Sequence, residues 1–176
     1  MRSLFALVPT ALIAFGTPAV AIENQTLAAV QARLYPGAQL TPADFALTES
    51  QVERLKQDYD VPFIRSQFKA WRAPIGGWLF FDQVYGLQDI VSYAVAIDAE
   101  GAVTGIEILV CAEGFCDIAK PEWGALLIGK TYGKWSPKTG VTTISGATLS
   151  SVHVTEGVKK LLAIHAHYLP KERPTP

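Results

Sequence analysis

Thr143-Ile144-Ser145-Gly146-Ala147-Thr148-Leu149-Ser150-Ser151 runs directly into a helical pattern from Val152 to His167. Hydroxyl side chains and two small residues stand where a helix begins, so the backbone can turn tightly and leave N–H groups pointing outward. Those groups and the helix dipole both favour an anion, and Gly146 and Ala147 let a bulky ligand approach the main chain. The plainer alternative is a loop whose Ser or Thr caps the helix. Along the helix, Val154, Val158, Leu161 and Leu162 fall on one face. Glu156 near its start and Lys159 and Lys160 nearer its end suit the dipole, and Pro170 stops it.

Upstream of that stretch the hydrophobic period is two. Ser66 to Trp71, Gly77 to Val84, Ile90 to Asp98 and Val103 to Cys111 read as strands. In the third, Val91, Tyr93, Val95 and Ile97 share one face, with Ser92, Ala94 and Ala96 on the other. Asp98-Ala99-Glu100-Gly101 supplies turn chemistry for a hairpin into Val103. Further upstream, Thr26 to Leu34 reads as a short helix capped by Asn24 or Thr26, and Tyr35-Pro36-Gly37 breaks it. Leu47 to Leu55 reads as another helix, with Thr48 and Gln51 arranged as a capping box. Successive strands with helices before and after them predict an α+β fold: a curved antiparallel sheet with helices packed against it.

Met1 to Ala21 has the form of a targeting segment. Arg2 gives a positive start, Leu4 to Phe15 is mostly apolar, and Ala19-Val20-Ala21 fits a small-residue cleavage site. The apolar run is short for a bilayer span and contains Pro9. The expected organisation is therefore a signal peptide over 1–21 and one domain over 22–176, exported to the periplasm. The formal charge of the whole chain is −1, with no Lys/Arg-rich run, which argues against nucleic acid as a partner.

Cys111 and Cys116 are the only cysteines. In an oxidising compartment they most simply form a disulfide, and a redox-active dithiol is the alternative. No further ligands near them suggest a metal site. Pro121 suits the first turn of a short helix and Gly129 its end. His153, His165 and His167 share the last helix. His153 lies near Ser150 and Ser151, yet the chain has no Gly-x-Ser-x-Gly elbow and no evident orienting acid for a Ser–His hydrolase. A Cys-x-x-Cys-His haem attachment motif is also lacking. Surface or partly packed histidines are the expectation, and no residue is singled out as catalytic.

Ser145-Gly146-Ala147-Thr148, followed by Leu149-Ser150-Ser151 and an amphipathic helix, resembles the covalent flavin site of the FMN-binding domain family. That family includes flavin-carrying subunits of bacterial ion-pumping NADH:quinone and ferredoxin:NAD oxidoreductases. Its pattern reads Asp-x-x-[Ser/Thr]-Gly-Ala-[Thr/Ser], and a flavin transferase esterifies FMN through its phosphate to the last hydroxyl residue. On this chain that residue is Thr148, and the leading Asp is replaced by Thr142. The resemblance extends from Leu34-Tyr35-Pro36-Gly37-Ala38 through Trp123 to the last helix, in the manner of small secreted single-domain members.

The resemblance implies that Glu113-Gly114 is the acid-plus-glycine loop beside the isoalloxazine ring, and that Pro121 to Lys130 helps form the flavin pocket. Trp123 could stack near the ring or be a core residue. Lys130 could pair with the phosphate or be an exposed lysine. The implied protein is an extracytoplasmic flavoprotein whose FMN, tethered at Thr148, relays electrons. Its partners would be a flavin transferase during maturation and a membrane or periplasmic redox protein. Two other classes stand beside it: a non-covalent FMN-binding or sensing module, and a flavin-free interaction domain.

Overall fold

Alternation along the central strands determines which side chains face each side of the sheet. A computed structural model of the chain describes residues 19–59, 65–111, 116–135 and 148–170. Six strands form one sheet: β1 (Thr41–Pro42), β2 (Phe45–Ala46), β3 (Gln67–Arg72), β4 (Trp78–Tyr85), β5 (Ile90–Ile97) and β6 (Val103–Cys111). Their order is β1-β3-β4-β5-β6, with β2 also beside β3, and every pairing is antiparallel. The β5–β6 register shifts between Ser92 and Tyr93 and again between Ala96 and Ile97. Irregularities of this kind bend a strand, giving an open antiparallel sheet its curvature.

Both faces are covered by helices, as expected of an α+β domain. Helices α2 (Glu49–Tyr59), α3 (Pro121–Ala125) and α4 (Thr148–Tyr168) contribute to the larger core. There Phe80, Tyr93, Val95 and Ile97 meet Val154, Val158, Leu161 and Leu162. Helix α1 (Ala19–Leu34) lies on the other face, where Leu27 and Val30 pack on Leu79, Ala94 and Ala96. The small Ala94 and Ala96 leave room for that helix; Val91, Tyr93, Val95 and Ile97 fill the other side. The two-residue alternation read in β5 is thus the division between two cores.

Local sequence signals account for several element ends. Thr48 N–H donates to Gln51 Oε1 at 2.8 Å, and Gln51 N–H donates to Thr48 Oγ1 at 3.3 Å, completing the capping box of α2. In the β5–β6 turn, Asp98 Oδ1 accepts from Ala102 N–H at 2.8 Å, and Gly101 takes φ 88°, a value that favours glycine. Helix α1 departs from the expectation. It already runs from Ala19, so Asn24 and Thr26 lie inside it rather than at its start.

Gly77 permits a close approach at the opening of β4. A Cβ there would lie 2.7 Å from Tyr35 Oη and 2.9 Å from the backbone oxygen of Ile97. Tyr35 uses that space: its buried hydroxyl is 3.1 Å from Trp78 O and 3.2 Å from Ile97 O, where it donates. Gly77→Ala should therefore cost about 1–3 kcal/mol, the usual range for overpacking. Urea unfolding checks this, and an unchanged midpoint would contradict the tight approach.

Burial, followed by the nearby Asp98 charge, pushes the Tyr35 hydroxyl up to about 12. A phenol in the unfolded chain ionises near 10. Stability from keeping Tyr35 protonated is thus complete below about pH 10 and falls as pH rises from there towards 12. The expected loss is on the order of 2–3 kcal/mol. Unfolding at about pH 9 and about pH 11.5 should show it, and Tyr35→Phe should remove this share of the pH dependence.

Candidate functional site

Helix α4 is the mount for the hydroxyl-rich stretch, and its buried face fixes its position on the sheet. Lys160 Nζ meets Asp82 Oδ2 of β4 at 2.6 Å, and Tyr93 Oη of β5 donates to the same oxygen at 2.6 Å. The lysine and aspartate side chains are only 5% and 7% exposed. Burial raises the Tyr93 hydroxyl well above its ordinary value, assisted by the Asp82 charge and hydrogen bond. One turn before Lys160, Gly157 leaves the space that the Tyr93 hydroxyl occupies; any Cβ there would overlap it. Nearer the N-terminus, His153 Nδ1 lies 2.6 Å from Tyr85 O. These contacts, taken in order, run α4 antiparallel to β4 and carry its first turn to the end of the sheet where β4 turns into β5.

The helix begins at Thr148 rather than after Ser151, so the two serines belong to its first turn. Both are buried, at 1% exposure. Ser151 Oγ donates to Thr148 O at 2.8 Å, and Thr155 Oγ1 donates to Ser151 O at 2.6 Å. Bonding back to carbonyls on the same helix is what lets these hydroxyls enter a core. Thr148 and Leu149 instead face outward. The first turn of the helix itself carries no acidic side chain. At the β4–β5 end of the sheet, Tyr85 and Leu87 are 68% and 62% exposed, and Leu149 in the first turn of α4 is exposed as well.

The disulfide closes the same end of the sheet. Cys111 and Cys116 are bonded, and Cys111 stands across from Val91, which in turn pairs with Val84. Both cysteines are half-buried at the margin of the larger core. Glu113 and Gly114, and likewise Ser145, Gly146 and Ala147, lie outside the described residues.

Trp123 and Lys130 sit elsewhere. Trp123 is 3% exposed within the larger core, and its Nε1 has no hydrogen-bond partner among the described residues. Its neighbour Gly124 packs α3 onto Ile106 in the middle of β6. Lys130 O accepts from Val103 N–H at 3.0 Å, and Thr131 bridges Ala102. Those contacts place Lys130 at the start of the nine-residue β6, about 26 Å along the strand from Cys111. The structure therefore gathers Thr148, Leu149, Ser150, Ser151 and the disulfide at one end and holds the Lys130 backbone at the other. A cleft of about 500 Å³ lies at the outer edge of β6, between Arg33 and Leu34 of α1 and Pro121 to Ala125 of α3. The Arg33 guanidinium pairs with Glu107 beside it.

The histidines divide. His153 holds the β4–β5 turn, His165 is buried beside Gly101, and His167 stacks edge-on to Tyr132 at 4.8 Å. Burial of His165 goes beyond the surface or partly packed positions expected. Among the described residues no group of three or more His, Cys, Asp or Glu side chains is arranged to hold a metal.

Sequence reading missed the Asp82–Tyr93–Lys160 cluster and took Lys160 only as a charge near the helix end that suits the dipole. A signal was present: Trp78, Phe80, Asp82 and Val84 alternate on one face of β4, so the carboxylate had to enter the apolar side. A buried carboxylate needs a partner.

An exposed threonine opening a helix whose first turn has no acidic side chain is chemistry that suits a phosphate-bearing group such as FMN. No curated protein matches the chain. Residues 86–163, from the β4–β5 turn through most of α4, match the family described as the FMN-binding domain. That segment is an FMN-binding domain, and FMN is its cofactor.

Proposed function

We propose that the protein carries FMN as a phosphoester on Thr148 and acts as an extracytoplasmic electron-transfer relay. The observation that carries this reading is the position of Thr148: the first, outward-facing residue of α4 inside an FMN-binding domain. Bound flavin would supply reversible uptake of electrons at its ring system. The chain's own task is to hold and shield. The Thr148 hydroxyl provides the attachment oxygen, and first-turn N–H groups face the phosphate. Leu149, Tyr85 and Leu87 offer an apolar surface.

Magnitude argues for a tether. A helix N-terminus is worth roughly 0.3–1 kcal/mol to an exposed anion and up to about 2 when partly buried. Retaining a cofactor outside the cell at micromolar affinity needs about 8 kcal/mol. Ring burial or a covalent bond must supply the difference, and the exposed position of Thr148 favours the bond.

The Cys111–Cys116 disulfide and the Ala19-Val20-Ala21 pattern support export to the periplasm. The partners on this reading are a flavin transferase and a membrane or periplasmic redox protein. Thr142, standing where the family has Asp, favours a second reading in which FMN binds without a covalent bond. Acid precipitation after export from a host with a flavin transferase separates the two. Yellow colour should stay in the pellet; a colourless pellet under a yellow supernatant would establish reversible binding instead.

A further inference from the structure

We propose that the Cys111–Cys116 disulfide is a second redox centre that exchanges an electron pair with the flavin, an inference that rests on attachment at Thr148. Three rows of contacts carry it. Cys111, Val91 and Val84 lie side by side across β6, β5 and β4, about 10 Å from end to end. Helix α4 crosses over Val84 at Gly157, nine residues after Thr148, which places its N-terminus about 14 Å further along the axis. The disulfide is on the α4 side of the sheet, since both cysteines touch the core that α4 fills. The sulfur pair and the attachment residue thus share one end and one face of the domain, separated by about 20 Å. FMN is extended, with its ring system held away from the phosphate by the ribityl chain, so a flavin anchored at Thr148 has the length to reach towards the sulfurs.

Position also distinguishes this disulfide from a clamp sealed in the core. Its cysteines are half-buried at the margin of the core rather than sealed within it, the kind of position from which disulfides exchange. In the step proposed, the S–S bond accepts two electrons and two protons from dihydroflavin. The bond breaks to give the Cys111 and Cys116 thiols, and the flavin returns to its oxidised form. The reverse direction oxidises the dithiol and reduces the flavin. A domain with both centres stores twice the electrons of one with flavin alone and can pass a pair to a disulfide or thiol substrate.

The test uses the full exported protein made with a flavin transferase, with the flavin reduced anaerobically by light and EDTA. Alkylation followed by mass analysis then counts free thiols. Both cysteines should be modified, and the protein should accept twice as many electrons per flavin as a Cys111→Ser/Cys116→Ser variant. Thr148→Ala, freed of any reversibly bound flavin and illuminated in the same way, should show no free thiol. A yellow protein whose cysteines stay unmodified, with electron uptake equal to that of the double variant, overturns this proposal and leaves the flavin reading standing. A colourless protein overturns both.

Discussion

Asp82→Ala should destabilise the domain by about 3–5 kcal/mol, because it leaves the Lys160 ammonium buried with no opposite charge. Lys160 Nζ and Tyr93 Oη both converge on Asp82 Oδ2 at 2.6 Å. The Phe68 ring also faces the ammonium, its centroid 5.8 Å away. A cation over a ring contributes about 0.5–2 kcal/mol, too little to replace a carboxylate. Tyr93 would lose its acceptor as well, at a further cost of roughly 1–3 kcal/mol if the hydroxyl stays dry. A typical domain has only about 5–15 kcal/mol in hand, so this one side chain decides much of the margin.

The pair itself is a weaker stabiliser than its disruption suggests, since bringing two charges out of water consumes most of their attraction. Asp82→Leu combined with Lys160→Met should therefore recover most of the loss. Urea unfolding of parent, single and double variants measures this. A single variant within 1 kcal/mol of the parent, on the scale of an exposed pair, would contradict a desolvated cluster.

The cluster matters for function because of where α4 points. Asp82 and Tyr93 fix Lys160, Gly157 allows the helix down onto Tyr93, and His153 holds the turn after β4. Those contacts set the helix register, and register sets where Thr148 emerges.

Local chemistry was legible in the sequence wherever neighbours along the chain decide it. The Thr48–Gln51 box, the Asp98 turn and the two faces of β5 need only residues a few positions apart. Features decided by distant partners were not legible in the same way. Lys160 resembles any helix lysine until Asp82 is seen opposite it. Ser150 and Ser151 read as a loop; both are buried in the first turn of α4, where the Ser151 hydroxyl bonds back to Thr148 O. Lys130 follows Trp123 closely in sequence, but its backbone is tied to the opposite end of β6 from the disulfide. The Ser-Gly-Ala-Thr resemblance singled out Thr148 as an attachment residue; its exposed place at the start of α4 comes from the structure.

Thr148→Ala should abolish covalent flavin altogether. The substitution removes the side-chain oxygen at the attachment position while keeping the first-turn N–H groups and the buried face of α4. Alanine is a strong helix former, so the helix start should tolerate it. Weak reversible binding can survive, because the dipole and the apolar surface of Leu149, Tyr85 and Leu87 remain. Thr142→Asp restores the family's acid and should raise the flavinylated fraction wherever the parent is incompletely modified.

Intact mass of the denatured protein, after export from a host with a flavin transferase, tests the central claim most directly. The parent should carry one FMN increment that maps to the peptide containing Thr148, and Thr148→Ala should carry none. An increment persisting in Thr148→Ala, or no increment on the parent, would contradict attachment at this residue.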